Sequence, residues 1–295
     1  MPCIFGCLVL VSTDLVAQSA FAPLNADYYH LLDRYEIKSG KFSNSFFSSF
    51  KPYRRDQIAS FLDSRVSDTN RSQVDEFNIE YLNNDNWEFS NTDSNTSKKP
   101  LFGKLYRKKS DFINVNVKDF DLHLNPVIYW SIGQDSDSES RPFINTRGAQ
   151  LRGRIDDKIA FYSFIGENQV VFPSYGQDYV SEFGAVPNEG FWKQYQKHGV
   201  DFFTVRGYID LQATRHINLQ FGHDKNFIGN GIRSMFLSDN SSNYFFLKLT
   251  TKVWRLNYTN LFVELVADAP FTPFGTLGGS LGTTRFPKNT WPYTT

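Results

Sequence analysis

Residues 203–212 alternate with a period of two. Phe203, Val205, Ile209 and Leu211 share one face, and Thr204, Arg206, Tyr208, Asp210 and Gln212 share the other. That period belongs to a β-strand. The run is longer than the usual soluble strand of about 5–6 residues. A strand that crosses a bilayer needs about 9–11 residues, apolar outside and polar inside. Several runs in this chain reach that length. The expected fold class is therefore mainly β: an outer-membrane antiparallel β-barrel preceded by a small helical bundle.

The same alternation predicts seven strands, over 120–133, 143–155, 158–166, 201–214, 217–223, 243–251 and 254–266. In the first, Phe120, Leu122, Leu124, Ile128, Trp130 and Ile132 oppose Asp121, His123, Asn125 and Ser131. Pro126 lies inside this strand, and it suits an edge or a bulge better than a paired interior. The connections alternate in length. Asp156-Asp157, Arg215-His216 and Lys252-Val253 read as tight turns, while 134–142, 167–200 and 224–242 are long. Short periplasmic turns and longer outer loops are the habit of outer-membrane barrels. An odd strand count leaves two open edges, so the expected object is an incomplete, open half-barrel. The tail over 267–295 loses the alternation and reads as irregular.

Residues 27–90 have a different pattern. Three short helices are expected: Tyr28, Leu31, Leu32 and Tyr35 mark the first, stopped by Gly40. Ile58, Phe61, Leu62 and Val66 mark the second, and Val74, Phe77 and Tyr81 the third. Residues 83–99 read as a polar linker or loop. Ahead of the helices, Cys3 to Val11 form an apolar core of signal-peptide length. Ala17-Gln18-Ser19 follows as a small-x-small cleavage candidate, although no basic residues precede the core. The expected division is a signal peptide over 1–19, a helical periplasmic plug with its linker over 20–99, a partial barrel over 100–266 and the tail. Cys3 and Cys7 are the chain's 2 cysteines, so a processed chain would hold neither a disulfide nor a thiolate site. The chain is 17% aromatic, with 29 Phe and 15 Tyr, which suits interfacial girdles. Formal net charge is zero, so nothing in it points to nucleic acid.

The string Phe221-Gly222-His223-Asp224-Lys225-Asn226-Phe227-Ile228-Gly229-Asn230-Gly231-Ile232-Arg233-Ser234 resembles the Wzi-type capsule-assembly family. The likeness is to the Bacteroidetes branch that includes the gliding-motility protein RemB. Asp27-Tyr28-Tyr29-His30, Asp33 through Gly40, Arg147-Gly148 with Arg152-Gly153-Arg154, and Ser238 through Tyr244 resemble it too. The resemblance covers roughly 22–265. It implies a large outer-membrane barrel with a helical bundle at its periplasmic mouth, working on surface polysaccharide or supporting gliding. It also implies further strands, and a text such as Lys-Lys-Tyr-Met-Ala after Pro287. Lys288 to Thr295 departs from that text in the way that loss of one adenine would produce, so a frameshifted or truncated product is expected.

Candidate ligand-binding residues are Arg152, Arg154, Arg206 and Asp210 on the polar strand face. Asp224, Lys225, Asn226, Asn230 and Arg233 follow in the connection. Arg forks suit carboxylates and phosphates; Asn and Asp suit sugar hydroxyls. The competing reading is an ion-pair network that fills the barrel, which buried polar groups require whatever the function. Gly229-Asn230-Gly231 lacks the context of a phosphate loop. His30, His123, His198, His216 and His223 show no metal spacing. Asp135 through Ser140 lacks the glycine and terminal glutamate of an EF-hand. No nucleophile–base arrangement can be placed. The expectation is a non-enzymatic protein without cofactor or metal, partnered by surface polysaccharide and outer-membrane lipid. A porin-like or transport channel is the alternative.

Overall fold

The structure is a computed structural model that describes residues 18–24, 29–64, 71–90, 95–137, 140–190, 192–254, 256–266 and the backbone of 288–294. The apolar run with Cys3 and Cys7, the helix markers Tyr28 and Val66, and the tail over 267–287 lie outside the described residues. In chain order the elements begin with α1 (Tyr29–Ser39), β1 (Phe50–Lys51), α2 (Arg55–Asp63) and α3 (Gln73–Asp85). The strands β2 (Ile113–Val117), β3 (Phe120–Ile132), β4 (Phe143–Ile155) and β5 (Ile159–Val171) follow, then α4 (Ser174–Phe183). The rest are β6 (Lys193–Tyr195), β7 (Gly199–Thr214), β8 (Ile217–Asp224), β9 (Phe227–Ile228), β10 (Tyr244–Val253), β11 (Leu256–Val266) and β12 (Lys288–Thr294).

The main sheet runs in the order β12-β11-β10-β8-β7-β5-β4-β3-β2, with β6 added alongside β7. Every pairing in it is antiparallel. The sheet is not closed into a barrel. Because the strand direction alternates along this order, β2 and β12 run the same way, and joining them would need a parallel pair. All seven expected strands are present. β2, β6 and β12 are additional in this sheet; β12 crosses a stretch that reads as irregular in sequence. The turn expected at Lys252-Val253 falls later, since β10 runs through Val253, which pairs with Leu256, and Trp254 takes a φ of 54°. Asp156 and Asp157 both take positive φ, 52° and 48°, as a type I′ hairpin turn requires. Pro126 is tolerated because β2 pairs with β3 only as far as Leu124, leaving an edge beyond.

The tight turns, including one over 118–119 between β2 and β3, all fall at one end of the sheet. The connections over 133–142, 172–198 and 225–243 fall at the other. The two faces are buried in reverse of a soluble sheet. On β7, Thr204, Arg206, Tyr208 and Asp210 are buried, while Phe203, Val205 and Ile209 are about half exposed. Cross-strand partners continue the pattern. Ile165 opposite Val205, and Phe221 opposite Ile209, are exposed; Gln220 opposite Asp210, and Lys248 opposite Gln220, are buried. On β3, Ile128 is 80% and Trp130 68% exposed, whereas His123 is 1% exposed. Arg147 and Glu167 interrupt the apolar face near its long-connection end, where they pair with each other at 3.7 Å.

What buries the polar face is the N-terminal part of the chain. Residues 18–22 form an extended strap, nearly all of it inaccessible, lying between the sheet and the helices. The helical layer has its own core of Tyr29, Leu32, Tyr35, Phe46, Tyr53, Ile58, Phe61, Leu62, Ile79 and Leu82. On α3 the buried face is Asp75, Ile79, Leu82 and Asn83. The Val74, Phe77 and Tyr81 stripe that marks the helix in sequence points outward, 63%, 70% and 46% exposed. The reason lies in Asp75: a capping box with Ser72 and an ion pair with Lys38 at 2.5 Å tie that side of the helix to α1. Strap and helices meet the sheet near its tight-turn end. The Gln18 N–H donates to the Asp157 carbonyl, and Arg54 donates to Gln212 at 2.9 Å. The connection after β8 folds back so that β9 pairs with β1.

Candidate functional site

The polar face and what covers it hold many of the buried charged side chains among the described residues. It divides into three clusters. In the first, β3 presents Asp121 and His123, and β4 presents Arg152. The segment after α3 lays Trp87 and Glu88 over them, and Asp111 approaches from just before β2. His123 Nδ1 lies 2.8 Å from Asp111 and Nε2 lies 2.5 Å from Asp121. Nδ1 makes a hydrogen bond with Asp111, whereas Nε2 approaches Asp121 without hydrogen-bond geometry. Trp87 Nε1 donates to Asp111 at 2.5 Å and Asn125 donates to it at 3.0 Å. Burial pushes the Asp111 carboxyl up, and the hydrogen bonds from His123, Trp87 and Asn125 outweigh it, leaving the group below the usual carboxylate range. Arg152 pairs with Glu88 and lies 3.6 Å from Asp111. Within the polar stretch over 83–99, Asn86 and Asn95 are buried, and Glu88 reaches the sheet.

The second cluster centres on β7, β8 and β10. Asp210 is fully buried and accepts from the Gln18 amide and from Asn218 at 3.0 Å. Lys248 is 2% exposed, donates to Asn226 at 3.2 Å, and lies over the rings of Phe21 and Phe50 at 4.7 and 5.4 Å. Tyr208 stacks on Tyr162 at 5.3 Å and accepts from the Phe21 N–H. Gly222 lets the neighbouring strand approach closely, since a Cβ there would meet the Tyr208 Cα and Cβ and the Gly207 carbonyl. The third cluster sits toward the long connections. Arg206 lies 4.4 Å over Phe164, and Lys225 donates to the Asn188 carbonyl. Burial pushes the Glu189 carboxyl up, and burial pushes the Lys225 ammonium down.

The nine candidate residues therefore do not converge on one site. Arg152 belongs to the first cluster; Arg154, beside it, pairs with Asp157 at 3.0 Å and lies over Phe89. Asp210 and Asn226 belong to the second. Arg206 and Lys225 belong to the third, where Asp224 accepts from the Lys225 N–H. Asn230 and Arg233 are exposed on the connection between β8 and β10. No family model, curated protein or solved structure matches the chain. What the residues can do is thus argued from geometry. Arg152, Asp210 and Asn226 hold the strap, the segment after α3 and the refolded connection against the sheet. Asn230 and Arg233 offer donors and acceptors to solvent. Among the described residues no group of three or more His, Cys, Asp or Glu is arranged to hold a metal ion.

Lys248, Gln220, Glu88 and Asp111 were not among the sequence candidates. Lys248 was findable, because the alternation of Phe245, Leu247 and Leu249 puts it on the polar face. Glu88 and Asp111 carried no signal, since they lie in irregular segments and their partners are far away in sequence.

Proposed function

We propose that this chain forms the lipid-facing wall and inner plug of an outer-membrane β-barrel protein. In this reading it is of the Wzi type, and it organises or anchors surface polysaccharide without catalysing a reaction; in the RemB-like case it supports gliding. The observation that carries the membrane part is the reversed burial of the sheet. Ile128, Trp130, Ile132, Ile165, Phe203, Val205, Ile209, Phe221 and Phe245 are each between 47% and 80% exposed. Half-exposing such a side chain to water forfeits roughly 1 kcal/mol. Nine of them approach the roughly 5–15 kcal/mol by which whole domains are stable. Hydrocarbon removes that cost. No helix among the described residues is long and apolar enough to cross a membrane, so crossing falls to the strands.

Each unpaired backbone group costs several kcal/mol in hydrocarbon. The reading therefore requires further strands to complete the wall from the β2 and β12 edges. The polysaccharide part rests on the family resemblance of 221–234 and 238–244, and it draws support from Asn230 and Arg233 standing exposed in that segment. Deleting the gene tests it. Loss of stainable capsule or slime, or of gliding, with solute uptake unchanged, is the expected result. Unchanged surface polysaccharide and motility, with lost solute uptake, would replace it with the channel reading.

A further inference from the structure

If residues 1–19 were removed as one leader, the cut would fall after Ser19. The structure gives Gln18 and Ser19 structural work that such a cut would delete. Gln18 is fully buried; its N–H donates to the Asp157 carbonyl at 3.0 Å and its amide donates to Asp210. Ser19 is 1% exposed; its hydroxyl donates to Asp56 Oδ1 at 2.6 Å and accepts from the Asp56 N–H at 3.1 Å. The next residue, Ala20, accepts from the Arg55 N–H at 3.0 Å. Arg54, at the N-cap of α2, makes no side-chain cap bond. Ser19 and Ala20 therefore supply the acceptors that the first turn of α2 needs. A cut after Ser19 would strip one of them and leave Asp210 buried with Asn218 as its remaining donor.

We infer that the leader is cut between Ala17 and Gln18, so that Gln18 becomes the first residue of the exported chain. Hydrolysis adds water across that bond. Ala17 leaves with the new carboxylate, and Gln18 keeps the new ammonium, which still donates to the Asp157 carbonyl. A small residue, Ala17, then stands directly before the scissile bond, as export peptidases require. Leu15, two residues earlier, departs from the small-x-small pattern, and the retained contacts of Gln18 and Ser19 weigh against the better pattern match two residues along.

The full chain, expressed with its leader in an exporting host and purified from the membrane fraction, should give an N-terminal sequence and intact mass that start at Gln18 with its side-chain amide intact. A chain that starts at Ala20 or later, or that retains Met1, would overturn the inference. Two variants test the cut by pulse-labelling, before folding matters, and Ser19→Leu is the one that separates it from a cut after Ser19. Ala17→Arg should accumulate the uncut form, and Ser19→Leu should be processed as the parent is. Blocked processing of Ser19→Leu, or normal processing of Ala17→Arg, would overturn it as well.

Discussion

Asp75 shows how one residue can outweigh a hydrophobic stripe. It accepts from Lys38 and from Ser72, and these hold its carboxyl well below the usual carboxylate range. A carboxyl depressed in the folded state adds stability above its unfolded value of about 4, and that stability is lost as pH falls through the folded value. Asp75→Asn should therefore lower the denaturation midpoint of the helical layer at pH 7, and the gap between variant and parent should close in acid. A gap that persists at low pH would show that the charge is not the cause. Lys248 supports a second test. Asn226→Leu should cost roughly 1.5–3 kcal/mol, the worth of a hydrogen bond to a charged group, and should cost clearly less on a Lys248→Met background. A double-mutant cycle with no coupling would contradict the pairing. At this scale the sequence shows which residues face the polar side, since alternation alone marks Arg152, Arg206 and Asp210. It does not show their partners, because Gln18 lies 192 positions from Asp210 and Glu88 lies 64 from Arg152.

Two of the helices are capped by distant elements. α2 takes Ser19 and Ala20 from the strap. α4 takes Asp135, whose carboxylate accepts from the Ser174 N–H at 2.7 Å and is held below the usual range first by that bond. The Asp135–Ser140 segment, calcium-like in composition, thus has one residue committed to a helix terminus; 138–139 lie outside the described residues. Asp135→Ala should speed amide exchange across Ser174–Phe183 and leave β7 unchanged; exchange rates equal to the parent's would remove the cap from the account. Ser19→Ala should cost about 1 kcal/mol, typical for a lost N-cap, measured by urea unfolding of the helical signal. Element by element, the long alternating strands were legible to within a few residues, β4 to the residue. α4 was not found, although Tyr175, Tyr179 and Phe183 recur at helical spacing before Gly184, because it sits inside a long connection. β2 alternates as well, with Asn114 and Asn116 between apolar residues, but it spans only five residues and was passed over. The α3 stripe misled, since spacing reveals a helix and not which side finds a partner.

For the whole molecule the polarity of the sheet is decisive, and it was visible in the first ten-residue run of alternation. The helical layer that helps cover the polar face was visible only as three helices, with no sign that the strap before them would be the piece wedged against the sheet. Ile209→Arg should reduce membrane insertion by about 2–4 kcal/mol near mid-bilayer, far more than Ile209→Ala; equal effects would place that side chain away from lipid. The most direct measurement is a scan of single cysteines over Phe203 to Asp210, with Cys3 and Cys7 replaced, each carrying a nitroxide and read in native membranes for accessibility to oxygen and to a water-soluble nickel chelate. The account predicts a period of two: Phe203, Val205 and Ile209 accessible to oxygen and shielded from the chelate, and Thr204, Arg206, Tyr208 and Asp210 shielded from both. Positions 203, 205 and 209 open to the chelate, or a chain recovered from the soluble fraction, would contradict it.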